Sequence, residues 1–177
     1  MKKLFIFACL FGLMSIKGIP QDTPKVEIFA GYSRIIGDQQ GINASVTGNF
    51  NKWFGAVADF SHLTSKNTGA NFEEKISGDL YLFGPQFSYR GNKRITPFTR
   101  VLVGVSNIKA RVTDFDQSVE FSDTNFSYGV GGGLDIRVTK LIAVRAIQAD
   151  YIHTKFFSEG QHNGRLSFGV VFRFGNK

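Results

Sequence analysis

The stretch INASVTGNF (42–50) alternates apolar and polar residues almost without fault. Ile42, Ala44, Val46, Gly48 and Phe50 share one parity, and Asn43, Ser45, Thr47 and Asn49 share the other. Successive side chains of a β-strand point to opposite faces, so the pattern predicts a strand with one apolar face and one face of amides and hydroxyls. In a soluble sheet the apolar face is the core. In a membrane barrel it meets lipid, and the polar face looks into a lumen.

The same period recurs along the chain. It is visible at about 26–34, with Val26, Ile28, Ala30 and Tyr32 on one parity, and at 53–63, where Phe54, Ala56, Ala58 and Phe60 oppose Gly55, Asp59 and Ser61. It returns at about 76–89, with Tyr81, Phe83, Pro85, Phe87 and Tyr89 together, and at 96–108, with Val101, Val103 and Val105 together. Phe126, Tyr128, Val130, Leu134 and Ile136 form a sixth set, and Leu166, Phe168, Val170, Phe172 and Phe174 an eighth. The seventh segment, 141–154, is irregular, because Arg145 has the parity of the apolar set Ile147, Ala149 and Tyr151. A bulge near Ala146 restores its facing; without one, Arg145 belongs near a membrane interface, where charge is cheaper. No 3.6-residue pattern persists over a helix length, and 20 Gly and 19 Phe against four Pro and one Trp suit an all-β chain.

Connections alternate in length. Residues 50–53, 90–94 and 139–140 read as tight turns. Between them lie the polar stretches 65–75, 109–123 and 155–164, read as long loops, and a shorter connection at 37–41. Short turns at one end and long loops at the other are the pattern of an up-and-down outer-membrane barrel. An even strand number places both chain ends at the short-turn end.

The N-terminus supports export. Lys2 and Lys3 precede an uncharged apolar run from Leu4 to Ile16. This run is too short to span a bilayer as a helix, which needs about 20 residues, and it fits the apolar region of a secretory signal. We expect residues 1–20 to be removed and 25–174 to form the barrel domain. The single cysteine, Cys9, lies inside that signal. The formal charge is +7; without Lys2, Lys3 and Lys17 the balance is 18 basic against 14 acidic side chains, or +4. The excess is spread out, which speaks against a nucleic-acid groove.

Three features favour lipid outside and polar groups inside. Gly129, Gly131, Gly133 and Gly169 crowd the polar parity, as suits a narrow interior. Tyr32, Trp53, Tyr89, Tyr151 and Phe174 fall near strand ends on the apolar parity, as interfacial aromatic belts do. The last alternating segment also closes with Phe172-Arg173-Phe174, an aromatic near the end of a terminal strand. Charges of both signs lie on the polar parity, which on a soluble outer face would cost nothing and so does not decide the facing. Asp59, Asp135, Asp150 and Glu27 can pair with Arg100, Arg137, Arg165 and Arg173 across a lumen, where paired charge is tolerated and unpaired charge is costly. Such pairs predict a plugged interior.

SVTGNFNKWFGAVADFS (45–61), LFGPQFSYRG (82–91) and SYGVGGGLDIRV (127–138) resemble segments of the small OmpA/OmpX-type outer-membrane barrel family. The resemblance runs over residues 25 to 174. It implies an all-β fold: an eight-stranded antiparallel up-and-down transmembrane β-barrel in a bacterial outer membrane. It carries no catalytic site and no cofactor. Its implied partners are outer-membrane lipid and lipopolysaccharide, the assembly machinery that reads an aromatic near the end of the last strand, and extracellular ligands of the long loops. Here that aromatic is Phe174, followed by Gly175-Asn176-Lys177. Two rivals remain: a small solute or ion pore, and a soluble lipocalin-like carrier, whose G-x-W motif is missing around Trp53.

Other chemistry is weakly signalled. His62, His153 and His162 lack the local spacing of metal ligands, such as H-x-x-x-H, and read as solvated residues near strand ends. His153, Ser158 and Glu159 suggest the His/Ser pair of lipid-deacylating barrels, but a nucleophile needs a base within hydrogen-bond reach, which this spacing does not establish. Asp114, Asp116, Glu120 and Asp123 lack a calcium-loop pattern. Gly131-Gly132-Gly133 lacks the Lys and Ser/Thr of a phosphate cradle.

Overall fold

The computed structural model describes residues 23–36, 39–68, 72–114, 117–156 and 159–176. The expected signal, 1–20, lies outside them. Eight strands follow one another: β1 (Pro24–Ile35), β2 (Gln40–Asn49), β3 (Phe54–Thr68), β4 (Phe72–Ser88), β5 (Ile95–Asp114), β6 (Gln117–Arg137), β7 (Ile142–Phe156) and β8 (Glu159–Asn176). Each pairs antiparallel with the next, and β1 also pairs with β8, so the sheet closes on itself.

Facing is settled on β2. Ile42 is 60% and Val46 49% exposed, whereas Asn43, Ser45 and Thr47 are 1%, 4% and 2% exposed. The amides and hydroxyls look inward. The apolar parity of the other strands is exposed too, including Val101, Val103, Val105, Val130, Phe168 and Val170. A contiguous apolar outer wall around a polar interior is the inverse of a soluble barrel, and it excludes the lipocalin-like arrangement.

The strands outrun the apolar band. A bilayer crossing takes about 9–11 residues of tilted strand, but β5 and β6 have 20 and 21 residues. The expected long loops are therefore mostly ladder. β3 runs to Thr68 and β4 starts at Phe72, β5 runs to Asp114 and β6 starts at Gln117, and β7 runs to Phe156 and β8 starts at Glu159. Backbone pairing continues through Lys66 with Lys75 and Arg111 with Glu120. Ladder hydrogen bonds are made by the backbone and need no particular side chains, so the pairing continues where the sequence pattern stops.

The three short turns share one device. Asn51 Oδ1 accepts from the Trp53 and Phe54 N–H groups, both at 2.8 Å. Asn92 Oδ1 accepts from Arg94 and Ile95 at 2.8 and 3.2 Å. Thr139 Oγ1 accepts from Leu141 and Ile142 at 3.2 and 3.0 Å. Each turn thus satisfies its own backbone donors from a local side chain, which is why Asn and Thr stand there.

The irregularity of β7 is a bulge. Leu134 faces Ile147 and Asp135 faces Arg145, so Ala146 has no partner on β6, and the β7–β8 register shifts between Arg145 and Gln148. The extra residue rotates Arg145 into the lumen, where it is buried. Glycines make room in the narrow interior: a Cβ at Gly133 would stand 2.8 Å from the Phe98 ring, and one at Gly31 2.6 Å from Phe29 Cζ.

Candidate functional site

The lumen is where the fold gathers charge. At its centre Arg100 of β5 and Arg165 of β8 meet Asp59 of β3 and Asp150 of β7, and none of the four side chains is exposed. Asp150 accepts from Arg100 Nε at 3.0 Å and Nη2 at 2.8 Å, and from Arg165 Nε at 3.1 Å and Nη2 at 2.9 Å. Arg165 Nη1 donates to Asp59 Oδ1 at 2.9 Å and also meets Ser61 Oγ. Arg100 Nη1 lies 3.0 Å from Asp59 Oδ2. Two guanidinium groups and two carboxylates balance, which a poorly solvated interior requires.

Amides extend the cluster. Asn43 Nδ2 donates to Asp59 Oδ1 at 3.1 Å, and Gln148 Nε2 donates to Asp150 at 2.8 Å and to Asn43 Oδ1 at 3.3 Å. Arg145 Nη1 reaches Gln148 Oε1 at 2.7 Å, while its Nε and Nη2 grip Asp135 at 2.8 and 3.1 Å. The Arg145 guanidinium also lies between two rings, 4.4 Å from the Phe29 centroid and 4.3 Å from that of Phe98. Cation–π contacts of a desolvated cation are worth about 2 kcal/mol or more. The network therefore runs unbroken from Asp135 to Ser61 and joins β2, β3, β5, β6, β7 and β8.

A second cluster stands at the short-turn end. Glu27 Oε2 accepts from Arg90 Nη2 at 2.7 Å and from Asn49 Nδ2 at 2.9 Å, and Glu27 Oε1 lies 3.3 Å from Arg173 Nε. Arg90 Nη1 also caps the Lys52 carbonyl at 3.2 Å.

The expected charges Glu27, Asp59, Asp135, Asp150, Arg100, Arg165 and Arg173 thus all take part. Arg173 takes part through charge alone, since its Nε, like that of Arg137, has no hydrogen-bond partner among the described residues, and Arg137 is the expected charge for which no ion pair is seen among them. Sequence reasoning missed Arg90, which it placed in a turn, and the pairing of Arg145. It also missed an apolar layer on the inward face, made by Ile35, Val57, Leu63, Leu80, Leu82, Leu102 and Ile152. Leu80 and Leu82 on the polar parity of β4 were its visible signal.

The three histidines fall on the outer face. Gly131-Gly132-Gly133 lies within β6, as a strand rather than a cradle. Ser158 and Asp116 lie outside the described residues. His153 has the Tyr128 ring and His162 as neighbours. His62 Nδ1 pairs with Asp79 Oδ1 at 2.6 Å across β3 and β4. Among the described residues no group of three His, Cys, Asp or Glu side chains is placed to hold a metal ion.

Aromatics ring the outer wall at two heights. Trp53 and Tyr89 pack at 5.3 Å and Phe54 and Phe87 at 5.2 Å near the short turns, and Tyr32 with Phe168 at 5.4 Å and Phe60 with Tyr81 at 5.1 Å lie toward the long hairpins. Lys52 lies 5.5 Å over Trp53, as expected where an aromatic belt meets headgroups.

Comparison with known proteins agrees with this geometry. A comparison with curated proteins gave no match. Among solved structures, Ail, the attachment invasion locus protein of Yersinia pestis, is 21% identical with a TM-score of 0.63, covering 88% of this chain and 100% of its own. Neisserial surface protein A is 16% identical with a TM-score of 0.58, covering 84% and 96%. A major outer membrane protein from Thermus thermophilus is 12% identical with a TM-score of 0.60, covering 84% and 99%. At such identities the likeness is one of fold. The family model described as outer membrane protein beta-barrel domain matches residues 11–174. A lipid-facing outer wall, a charged interior and that match have one common reading: the chain belongs to the outer membrane protein beta-barrel domain family and resides in the bacterial outer membrane.

Proposed function

We propose that this protein is a non-conducting, non-enzymatic envelope component: a rigid barrel whose short turns face the periplasm and whose three long hairpins present their ends outside the cell. On this reading the apolar wall contacts lipid and lipopolysaccharide, residues 1–20 direct export and are removed, and the outer-membrane assembly machinery inserts the barrel. Attachment is the proposed use of the hairpin ends. The solved relative Ail carries attachment in its name, and a structure of it holds the heparin analogue sucrose octasulfate.

One observation carries the non-conducting reading. Arg100, Arg165, Asp59 and Asp150 meet in mid-lumen with no solvent exposure, tying β3 to β5 and β8 and β7 to β5 and β8. An ion crossing this layer has to displace fully buried charge pairs, one of them a bidentate Arg100–Asp150 contact. The test is planar-bilayer recording of the protein extracted in mild detergent. The expected result is no stable large single-channel step. Regular large steps would overturn the reading and leave the small-pore alternative.

A further inference from the structure

We propose that His153, His162 and Tyr151 form a surface site for a divalent transition ion of the zinc class. His153 and His162 are direct partners in the β7–β8 ladder, and Tyr128 is the partner of His153 on β6. The parity of Ile152, which is buried in the lumen, places His153 and Tyr151 on the outer wall. The site lies toward the long-hairpin end, beside the upper aromatic belt.

The geometry is that of a two-nitrogen clamp. The Nδ1 atoms of His153 and His162 face each other at 3.2 Å. Two Zn–N bonds of 2.0–2.1 Å at a tetrahedral angle require a nitrogen separation of roughly 3.3 Å. The Tyr151 hydroxyl also meets His162 Nδ1. A ring nitrogen carries either one hydrogen or one lone pair. His162 Nδ1 is therefore approached by two polar atoms but can make one full-strength hydrogen bond. A cation between the two imidazole nitrogens takes a lone pair from each, and the Tyr151 hydroxyl, which stands closer to His162 Nδ1 than two ligands of one ion do, is left to hydrogen-bond a water or other ligand of that ion. Tyr128 packs on His153 with centroids 4.9 Å apart, and the two imidazoles stand 4.6 Å apart, so the rings are held in place without the ion. Imidazole nitrogen suits Zn2+ and Cu2+, whereas Mg2+ and Ca2+ prefer oxygen. Two imidazoles leave coordination positions open to water or to an outside ligand, with the Tyr151 hydroxyl beside them.

The test uses the full protein, expressed without an affinity tag, extracted from envelopes in mild detergent and titrated with Zn2+ against a chromophoric chelator. The expected result is one Zn2+ per barrel, undisturbed by millimolar Ca2+. His153→Ala and His162→Ala should each weaken binding about tenfold or more, and Tyr151→Phe by a smaller factor. His62→Ala should leave binding unchanged. Heat-dependent electrophoretic mobility confirms that each variant is folded, and His153→Gln, close in volume, replaces a variant that is not. No uptake by the wild-type protein at millimolar Zn2+ would overturn the proposal. So would unchanged binding in the His153→Ala/His162→Ala double variant, an equal loss in His62→Ala, or displacement of the zinc by Ca2+.

Discussion

Arg165 on β8 and Asp59 on β3 meet inside the barrel, Nη1 to Oδ1 at 2.9 Å, with neither side chain exposed. Two whole strands, β1 and β2, lie between them around the wall, so the bond is a brace across the lumen rather than a rung of the ladder. Asp59 also serves Arg100. Removing the carboxylate leaves two buried guanidinium groups with Asp150 alone between them. Asp59→Ala should therefore cost about 3–5 kcal/mol, read as a lower urea midpoint in detergent or vesicles. The double substitution Asp59→Asn/Arg165→Gln should fall short of the sum of its parts by at least about 1 kcal/mol. Strict additivity would show that the two residues do not act as a pair.

The facing of β6 makes a sharper prediction. Val130 is exposed on the outer wall and Ser127, of opposite parity, is buried against Ser106 with their hydroxyls at 2.9 Å. Val130→Arg should cost roughly 2–4 kcal/mol at a bilayer midplane, and Val130→Phe should cost little. Equal urea midpoints in lipid vesicles for the two variants would contradict a lipid-facing Val130.

The bulge at Ala146 gives a prediction about assembly. Ala146 is the extra residue between Arg145, opposite Asp135, and Ile147, opposite Leu134, so deleting it makes the ladder regular and leaves Arg145 facing the lumen beside Asp135, Phe29 and Phe98. The deletion variant should therefore still close and still show the heat-dependent mobility shift, whereas a second residue inserted beside Ala146 should turn residues 142–145 over, put Arg145 out to lipid and abolish the shift. Loss of the shift in the deletion variant, or its survival in the insertion variant, would sink the idea.

Two glycines separate interior from exterior. A Cβ at Gly133 meets the Phe98 ring at 2.8 Å, whereas at Gly48 nothing lies within 4 Å. Gly133→Ala should destabilise by about 1–3 kcal/mol through overpacking. Gly48→Ala should be neutral or slightly stabilising, because it restricts the unfolded chain. The urea midpoints of the two variants check this directly, and the reverse order would contradict it.

The wall of the barrel was readable from the sequence because its physics is local. Each of Ile42 to Phe50 declares its face by chemistry alone, and the misplaced Arg145 was enough to locate a bulge beside it. The contents of the lumen were readable in part. Parity placed Asp59, Asp150, Arg100 and Arg165 inside, but strand order and stagger decide which of them meet. Arg90 escaped because a residue beside a tight turn carries no parity. Leu80, Leu82 and Leu102 escaped because an inward apolar side chain contradicts the very pattern that reveals the wall. The pairing of His153 with His162 is a product of hairpin register, and no ligand-spacing rule written for helices or loops could find it. The strand extensions escaped for the opposite reason: backbone pairing there leaves no mark on side-chain choice.

The seam between β1 and β8 pairs Pro24 with Asn176 and Ile35 with Arg165, residues from opposite ends of the described chain. Every other ladder joins neighbours in sequence, so this seam alone must wait for the whole barrel to be in place. Until it forms, two strand edges stand open with unpaired backbone groups, a state that proteases recognise and that other chains can join. Once it forms there is no edge left to start from. Maturation of this protein is thus a latch: vulnerable up to the last pairing event, and afterwards released only by breaking an entire ladder together.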